Sequence, residues 1–221
     1  MRSDVDELRV KAGGLLLVSS SLIWIGSVLG ALAMYASFPF RPLYVHWLPK
    51  PFSLLPVANT GFSIWYMYIS ELGIGPSSLI FNVGVALASI IAIPAFPLLS
   101  TLFRSASSSI NLTGKVGVAL FVACFFFEIG IGLCPMVVCL LHTLLGFLVF
   151  LSRGLAVLLL SVVIYKDAFF SKATAIYGFL YAVLDLLFLI SHLTVMEWLT
   201  FFTVSTWILL VGAQAILKVK G

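Results

Sequence analysis

The sequence predicts an all-α integral membrane bundle of six transmembrane helices, with both termini cytoplasmic and a long interfacial outer loop between helices 1 and 2. Three observations predict it. Of 221 residues, 62% are hydrophobic and only 9% are charged, against roughly 45–50% and about 25% in soluble domains; so few charges cannot solvate a chain of this length. Apolar runs of about 20 residues, the length that crosses a bilayer, recur between breakers. Lysine and arginine fall between those runs, mostly on one side. No soluble domain of ordinary size fits in the remainder. The net charge of +4 is explained by cytoplasmic loops, where basic residues collect, and calls for no nucleic-acid partner.

The spans follow from the breakers. The first covers about 12–36. Its small-residue stretch Ala31-Leu32-Ala33 resembles a cleavage site, but the run is longer than a signal-peptide core, and Asp4, Asp6 and Glu7 spoil the basic start such a peptide needs. It reads as an uncleaved anchor. The loop 37–75 carries five prolines, Pro39, Pro42, Pro49, Pro51 and Pro56. Its apolar and aromatic content, from Phe52 to Tyr68, suits the outer interface, against headgroups or as a lid over the bundle. The second span, about 76–99, opens on Pro76 at a helix-start position and is expected to kink at Pro94 and Pro97. The third runs about 114–134, closed by Cys134-Pro135, the fourth about 137–165, the fifth about 172–192 and the sixth about 197–217. All belong to one domain spanning 1–221.

Orientation comes from counting cations. With the N-terminus inside, Arg2, Arg9, Lys11, Arg104, Lys115, Lys166, Lys172, Lys218 and Lys220 are internal, Arg41 and Lys50 external, and Arg153 intramembrane. That asymmetry obeys the positive-inside rule and suits the plasma membrane. Gly26-x-x-x-Gly30 has the spacing that lets two helices pack closely. Cys124, Cys134 and Cys139 are too few and too apolar in setting for a disulfide framework, although Cys134 and Cys139 flank one outer turn. Scarce amides, Asn59, Asn82, Asn111 and Gln214, hint at a thermophilic source.

An ionisable residue inside a span costs a few kcal/mol or more and needs a partner or a purpose. Glu128 lies 13 residues beyond Lys115, Arg153 lies 13 before Lys166, and Asp185 lies 13 beyond Lys172. At about 1.5 Å per residue, all three stand about 20 Å from the inner boundary. Arg153 stays protonated and must be paired, and Glu128 and Asp185 are its natural partners. Two readings stay open: a structural ion-pair cluster of Glu128, Arg153 and Asp185, or a ligand site with Asn82, Arg153 and Asp185 as binding residues. His142 precedes Arg153 by eleven residues, which places both on one helix face. With Glu71, Asn82, His192 and Glu197 it makes the outer half more polar than the inner, as an outward-opening polar cavity would. His142, Glu128 and Glu71 are candidate acid–base groups. No His/Glu spacing matches a metal motif, and no phosphate loop, dinucleotide fingerprint or nucleophile elbow occurs. Neither a metal nor a cofactor is expected. Gly73-Ile74-Gly75-Pro76 reads as a tight turn.

The stretch Ile69-Ser70-Glu71-Leu72-Gly73-Ile74-Gly75-Pro76-Ser77-Ser78-Leu79-Ile80-Phe81-Asn82 resembles the signature of a prokaryotic membrane family common in archaea, domain of unknown function 998. Downstream, Gly130-Ile131-Gly132-Leu133-Cys134-Pro135 and Leu141-His142 are similar to a second family segment, and Glu197 to Gly212 is similar to its last helix. The resemblance covers roughly 12–217. It implies the six-helix fold and topology, and carries Glu71, Asn82 and His142 over by position. Cys134 stands where members have phenylalanine, and Met136 where many have an acid.

No motif assigns a reaction, so whether the chain is an enzyme stays undecided at this level. The charge distribution points to a polytopic membrane protein whose outward polar pocket binds or acts on a lipid or amphiphile. Alternatives are an accessory subunit packed against another membrane protein or a second copy, and a small-solute transporter, which the lack of an internal repeat disfavours.

Overall fold

The computed structural model describes residues 4–37, 64–65, 67–103, 108–134 and 139–218. Among these no strand occurs. Six segments are long and apolar enough to cross a membrane: Val5–Tyr35, Gly75–Phe103, Ser108–Leu133, Leu140–Lys166, Lys172–Ser191 and Thr194–Lys218. They are built from α1 (Asp4–Ser37), α2 (Ser78–Ala92), α3 (Ala95–Leu99), α4 (Ser108–Leu133), α5 (Cys139–Lys166), α6 (Lys172–Ser191) and α7 (Thr194–Lys218).

Two of these helices start earlier than the apolar runs. α1 begins at Asp4 and α4 at Ser108, because backbone hydrogen bonding carries a helix into polar sequence once an apolar segment has nucleated it. The second span breaks where proline requires. α2 ends at Ala92, the chain turns through Ile93 and Pro94, and α3 resumes at Ala95. Proline has no N–H to continue the ladder, whereas Pro97 sits in the first turn of α3, where none is needed. Most of the 37–75 loop, the remaining side of the Cys134–Cys139 turn, and Arg2, Arg41, Lys50, Arg104 and Lys220 lie outside the described residues. Cys134 itself is a free thiol.

Each spanning segment packs on its predecessor and successor, and α7 returns to α1, which closes a ring. At that closure Gly14 and Gly212 meet backbone to backbone: a Cβ on Gly14 would stand 2.8 Å from the Gly212 carbonyl oxygen, and the reciprocal distance is 2.9 Å. Only glycine permits this crossing. The burial pattern is inverted relative to a soluble bundle. Leu8, Leu15, Leu22 and Leu29, spaced seven apart on α1, are exposed, while Glu128, Arg153 and Asp185 are buried. Exposed leucine costs nothing in hydrocarbon, whereas an exposed charge there does.

Two apolar clusters fill the ring. In the half nearer both chain termini, Phe96, Phe121 and Trp207 stack in a column, with Phe96–Phe121 centroids 4.2 Å apart and Phe121–Trp207 5.9 Å apart. At the opposite, loop-bearing end, Val28, Tyr35, Leu72, Phe81, Trp198 and Phe201 pack together. The buried charges lie between the two.

Candidate functional site

Arg153, on α5, is the centre of a network drawn from five helices. Its Nη1 donates to Glu128 Oε1 on α4 at 2.9 Å, and its Nε donates to the Tyr181 hydroxyl on α6 at 2.7 Å. Tyr181 in turn donates to Asp185 Oδ1 at 2.6 Å, while Arg153 Nη2 stands 4.0 Å from that same oxygen. Ser89 on α2 donates to the second Glu128 oxygen at 2.9 Å. The guanidinium faces are covered by aromatic rings, with Cζ 4.8 Å from the Phe150 centroid and 5.6 Å from that of Trp24 on α1. The arginine is 3% exposed, Glu128 4% and Asp185 1%.

Three expected residues therefore converge, and the order of engagement is specific. Glu128 holds the direct ion pair. Asp185 is reached chiefly through Tyr181, and its carboxylate fits only because position 154 lacks a side chain: a Cβ there would collide with it. A buried ion pair gains net stability only when its remaining donors and acceptors are also satisfied. Here Ser89 and Tyr181 satisfy the second Glu128 oxygen, the arginine Nε and Asp185 Oδ1, and two aromatic faces cover the guanidinium. The arrangement ties α2, α4, α5 and α6 together.

The residues at the loop-bearing end do something different: they hold backbone. Ile69–Gly73 forms a 3-10 turn, and Glu71 Oε1 accepts from the Tyr68 N–H at its start at 3.1 Å. Glu197, in the first turn of α7, accepts from the next donor, Ile69 N–H, at 2.7 Å. Asn82 Nδ2 donates to the Gly73 carbonyl at 3.0 Å, and Ser77 Oγ donates to that of Leu72 at 2.8 Å. Gly73 leaves room for that bond, because a Cβ there would stand 2.6 Å from the Asn82 side-chain oxygen and push it away. Gly75, at φ 72°, takes the left-handed turn that Pro76 and α2 require. His142 Nδ1–H donates to the Cys134 carbonyl at 2.8 Å, which pins the start of α5 to the end of α4.

The same end is fastened to α7. Thr194 Oγ1 donates to the Trp65 carbonyl at 2.7 Å and Trp198 Nε1 to that of Met67 at 3.1 Å. The Tyr68 hydroxyl donates at 2.7 Å to the carbonyl of His192, whose φ of 52° closes α6. Burial, then the nearby Glu197 and Glu71 carboxylates, push the Tyr68 phenol up to about 12.

A family model described as protein of unknown function, DUF998, matches residues 51–214, which span both of these regions. The chain belongs to the DUF998 family. No curated protein and no solved structure matches it. In this DUF998 protein the fourteen residues Ile69 to Asn82 have a physical meaning: two tight turns whose carbonyls and N–H groups are held by Glu71, Ser77 and Asn82.

Sequence reasoning missed four members of the central network. Tyr181 was legible in principle, since it lies four residues before Asp185 and so shares its helix face. Ser89 in a span is too common to single out. Trp24 and Phe150 read as ordinary apolar residues. A groove of about 490 Å³ runs between the Pro97–Phe103 segment and α4, bordered by Ser100, Asn111, Lys115, Val118 and Val122. It lies at the terminus-bearing end, away from the expected outward-opening cavity.

Proposed function

We propose that this DUF998 protein is a multi-pass membrane protein, both termini cytoplasmic, that binds a lipid or similar amphiphile at its lipid-facing side. The observation that carries the reading is the 490 Å³ groove beside α4. Its volume falls in the range of about 300–1,000 Å³ that ligand sites occupy, and its walls combine apolar side chains with a lysine, an asparagine and a serine. Pro97, Lys115 and Ala119 on its rim are exposed, so in a bilayer it opens sideways. The orientation is supported by the nine-to-two division of cations between the two sides.

Binding is favoured over chemistry because Glu71 and His142 hold backbone groups and Glu128 is spent on Arg153 and Ser89. Transport is disfavoured by the aromatic column and the closed network, which occupy the bundle between its two ends. Mass spectrometry of protein purified in mild detergent tests the reading: a lipid is expected to stay bound and, after removal, to raise Tm on re-addition. If stripping and re-addition both leave Tm unchanged, the reading is wrong.

A second reading, self-association or packing against a partner, is favoured by one observation. The exposed α1 stripe Leu15, Leu22 and Leu29 includes Gly26, around whose Cβ position nothing lies within 4 Å. Gly26→Cys would then cross-link between chains in native membranes; uniformly monomeric protein removes this reading.

A further inference from the structure

We propose that the groove beside α4 is a site for an anionic, phosphate-bearing lipid of the leaflet at the terminus-bearing end, with Lys115 pairing to the phosphate. The inference rests on the amphiphile-binding reading and names its ligand class. Three features of Lys115 carry it. First, depth. α4 has 26 residues, about 39 Å of helix, so it exceeds a hydrocarbon core of about 30 Å by a few ångströms at each end. Lys115 lies seven residues after Ser108, about 10 Å along the helix and a little inside the core.

Second, direction. Side chains on a helix lean toward its N-terminus, and α4 starts at the terminus-bearing end. The four-carbon stem therefore runs outward and delivers the ammonium to the depth of the headgroups. Third, availability. Lys172 and Lys218 at the same end donate to the carbonyls of Tyr165 and Phe169. Lys115, by contrast, is exposed on the groove's rim, and no described residue pairs with it.

The remaining lining follows the anatomy of a lipid. Ser100 borders the groove with a hydroxyl suited to phosphate or ester oxygens. Val118, Ala119 and Val122 continue one and two turns deeper, against Pro97, as an apolar track for the upper acyl chain. The track exists because the proline break after Ala92 displaces the end of span two. The groove floor stays closed, because Gly114 lies against the Phe103 carbonyl, where a Cβ would come within 2.6 Å.

The test uses the full-length protein, delipidated in detergent and titrated with phosphatidylglycerol, phosphatidylcholine or inorganic phosphate while Tm is followed. The wild type is expected to prefer phosphatidylglycerol by on the order of tenfold in apparent affinity, and inorganic phosphate alone to have no effect. Lys115→Gln should abolish the preference, bringing the apparent affinity for phosphatidylglycerol down to that for phosphatidylcholine. Lys166→Gln, an exposed lysine outside the groove, should preserve the preference. Ala119→Trp, which fills the track, should weaken both lipids. Retention of the preference in Lys115→Gln, or its equal loss in Lys166→Gln, overturns the proposal, as does stabilisation by inorganic phosphate to the same extent. If neither lipid stabilises the wild type, the amphiphile reading itself fails.

Discussion

The middle of the bundle and its loop-bearing end use the same residue types for opposite purposes. In the middle, Glu128, Arg153, Tyr181 and Asp185 bond to one another across helices. At the end, Glu71, Asn82, His142 and Glu197 each bond to a backbone group. The difference follows from where backbone is already satisfied. Mid-helix N–H and C=O groups are consumed by the helix, so a charged side chain there must find another side chain or remain unpaired in hydrocarbon. Turns and helix ends leave backbone donors and acceptors free, and polar side chains complete them. Polar residues in one membrane protein thus lock helix register in one place and shape a chain reversal in another.

Three substitutions probe this contrast, the largest effect first. Arg153→Ala strands two buried carboxylates and should cost about 3–5 kcal/mol, seen as lost monodisperse expression or a steep fall in Tm. Replacing the trio together, as Glu128→Gln, Arg153→Met and Asp185→Asn, should recover most of that loss, because no uncompensated charge remains. Unchanged Tm in Arg153→Ala would show that the network does not hold the helices.

Glu197→Ala should have a smaller and local effect. It leaves the Ile69 N–H without its acceptor, worth about 1–3 kcal/mol. Hydrogen exchange should rise across 67–73 while α4 and α5 keep their protection. Equal deprotection of α4 and α5 would mean that the two regions are one cooperative unit.

The smallest effect is a pH dependence. The Tyr68 phenol is raised from 10.0 to about 12, so the folded state favours the neutral form. Its contribution is fully present below about pH 10 and is lost as the pH rises through 12. Tyr68→Phe, which cannot ionise, should flatten the Tm profile across that window. A variant as alkali-sensitive as the wild type would assign the loss to another group.

The six spans were legible because crossing hydrocarbon demands long apolar runs, and the shared depth of Glu128, Arg153 and Asp185 because helices rise by a fixed amount per residue. Helix face and rotation were harder. His142 and Arg153 share a face by periodicity, yet His142 turns to the Cys134 carbonyl. Close-packed glycines include Gly14, Gly84, Gly114, Gly154, Gly178 and Gly212, whereas a Cβ on Gly26, the conspicuous one in a small-residue motif, would meet nothing within 4 Å. Periodicity says which residues align along one helix; only the neighbouring helix decides which of them is covered. The groove escaped notice for a related reason. The break at Pro94 that borders it was expected from the prolines, but whether a break opens a groove depends on the helix packed beside it.

The crossing of Gly14 and Gly212 has a consequence for biogenesis. α1 leaves the ribosome well before α7, the helix that completes its packing. At about 5–20 residues per second, synthesis keeps α1 waiting on the order of ten seconds or more for its neighbour. During that interval lipid or the insertion machinery must shield the surface that α7 later covers. A nascent chain stopped before residue 194 would therefore be damaged at its beginning as well as at its end. The quality of assembly in this protein is decided by an encounter between two segments made far apart in time.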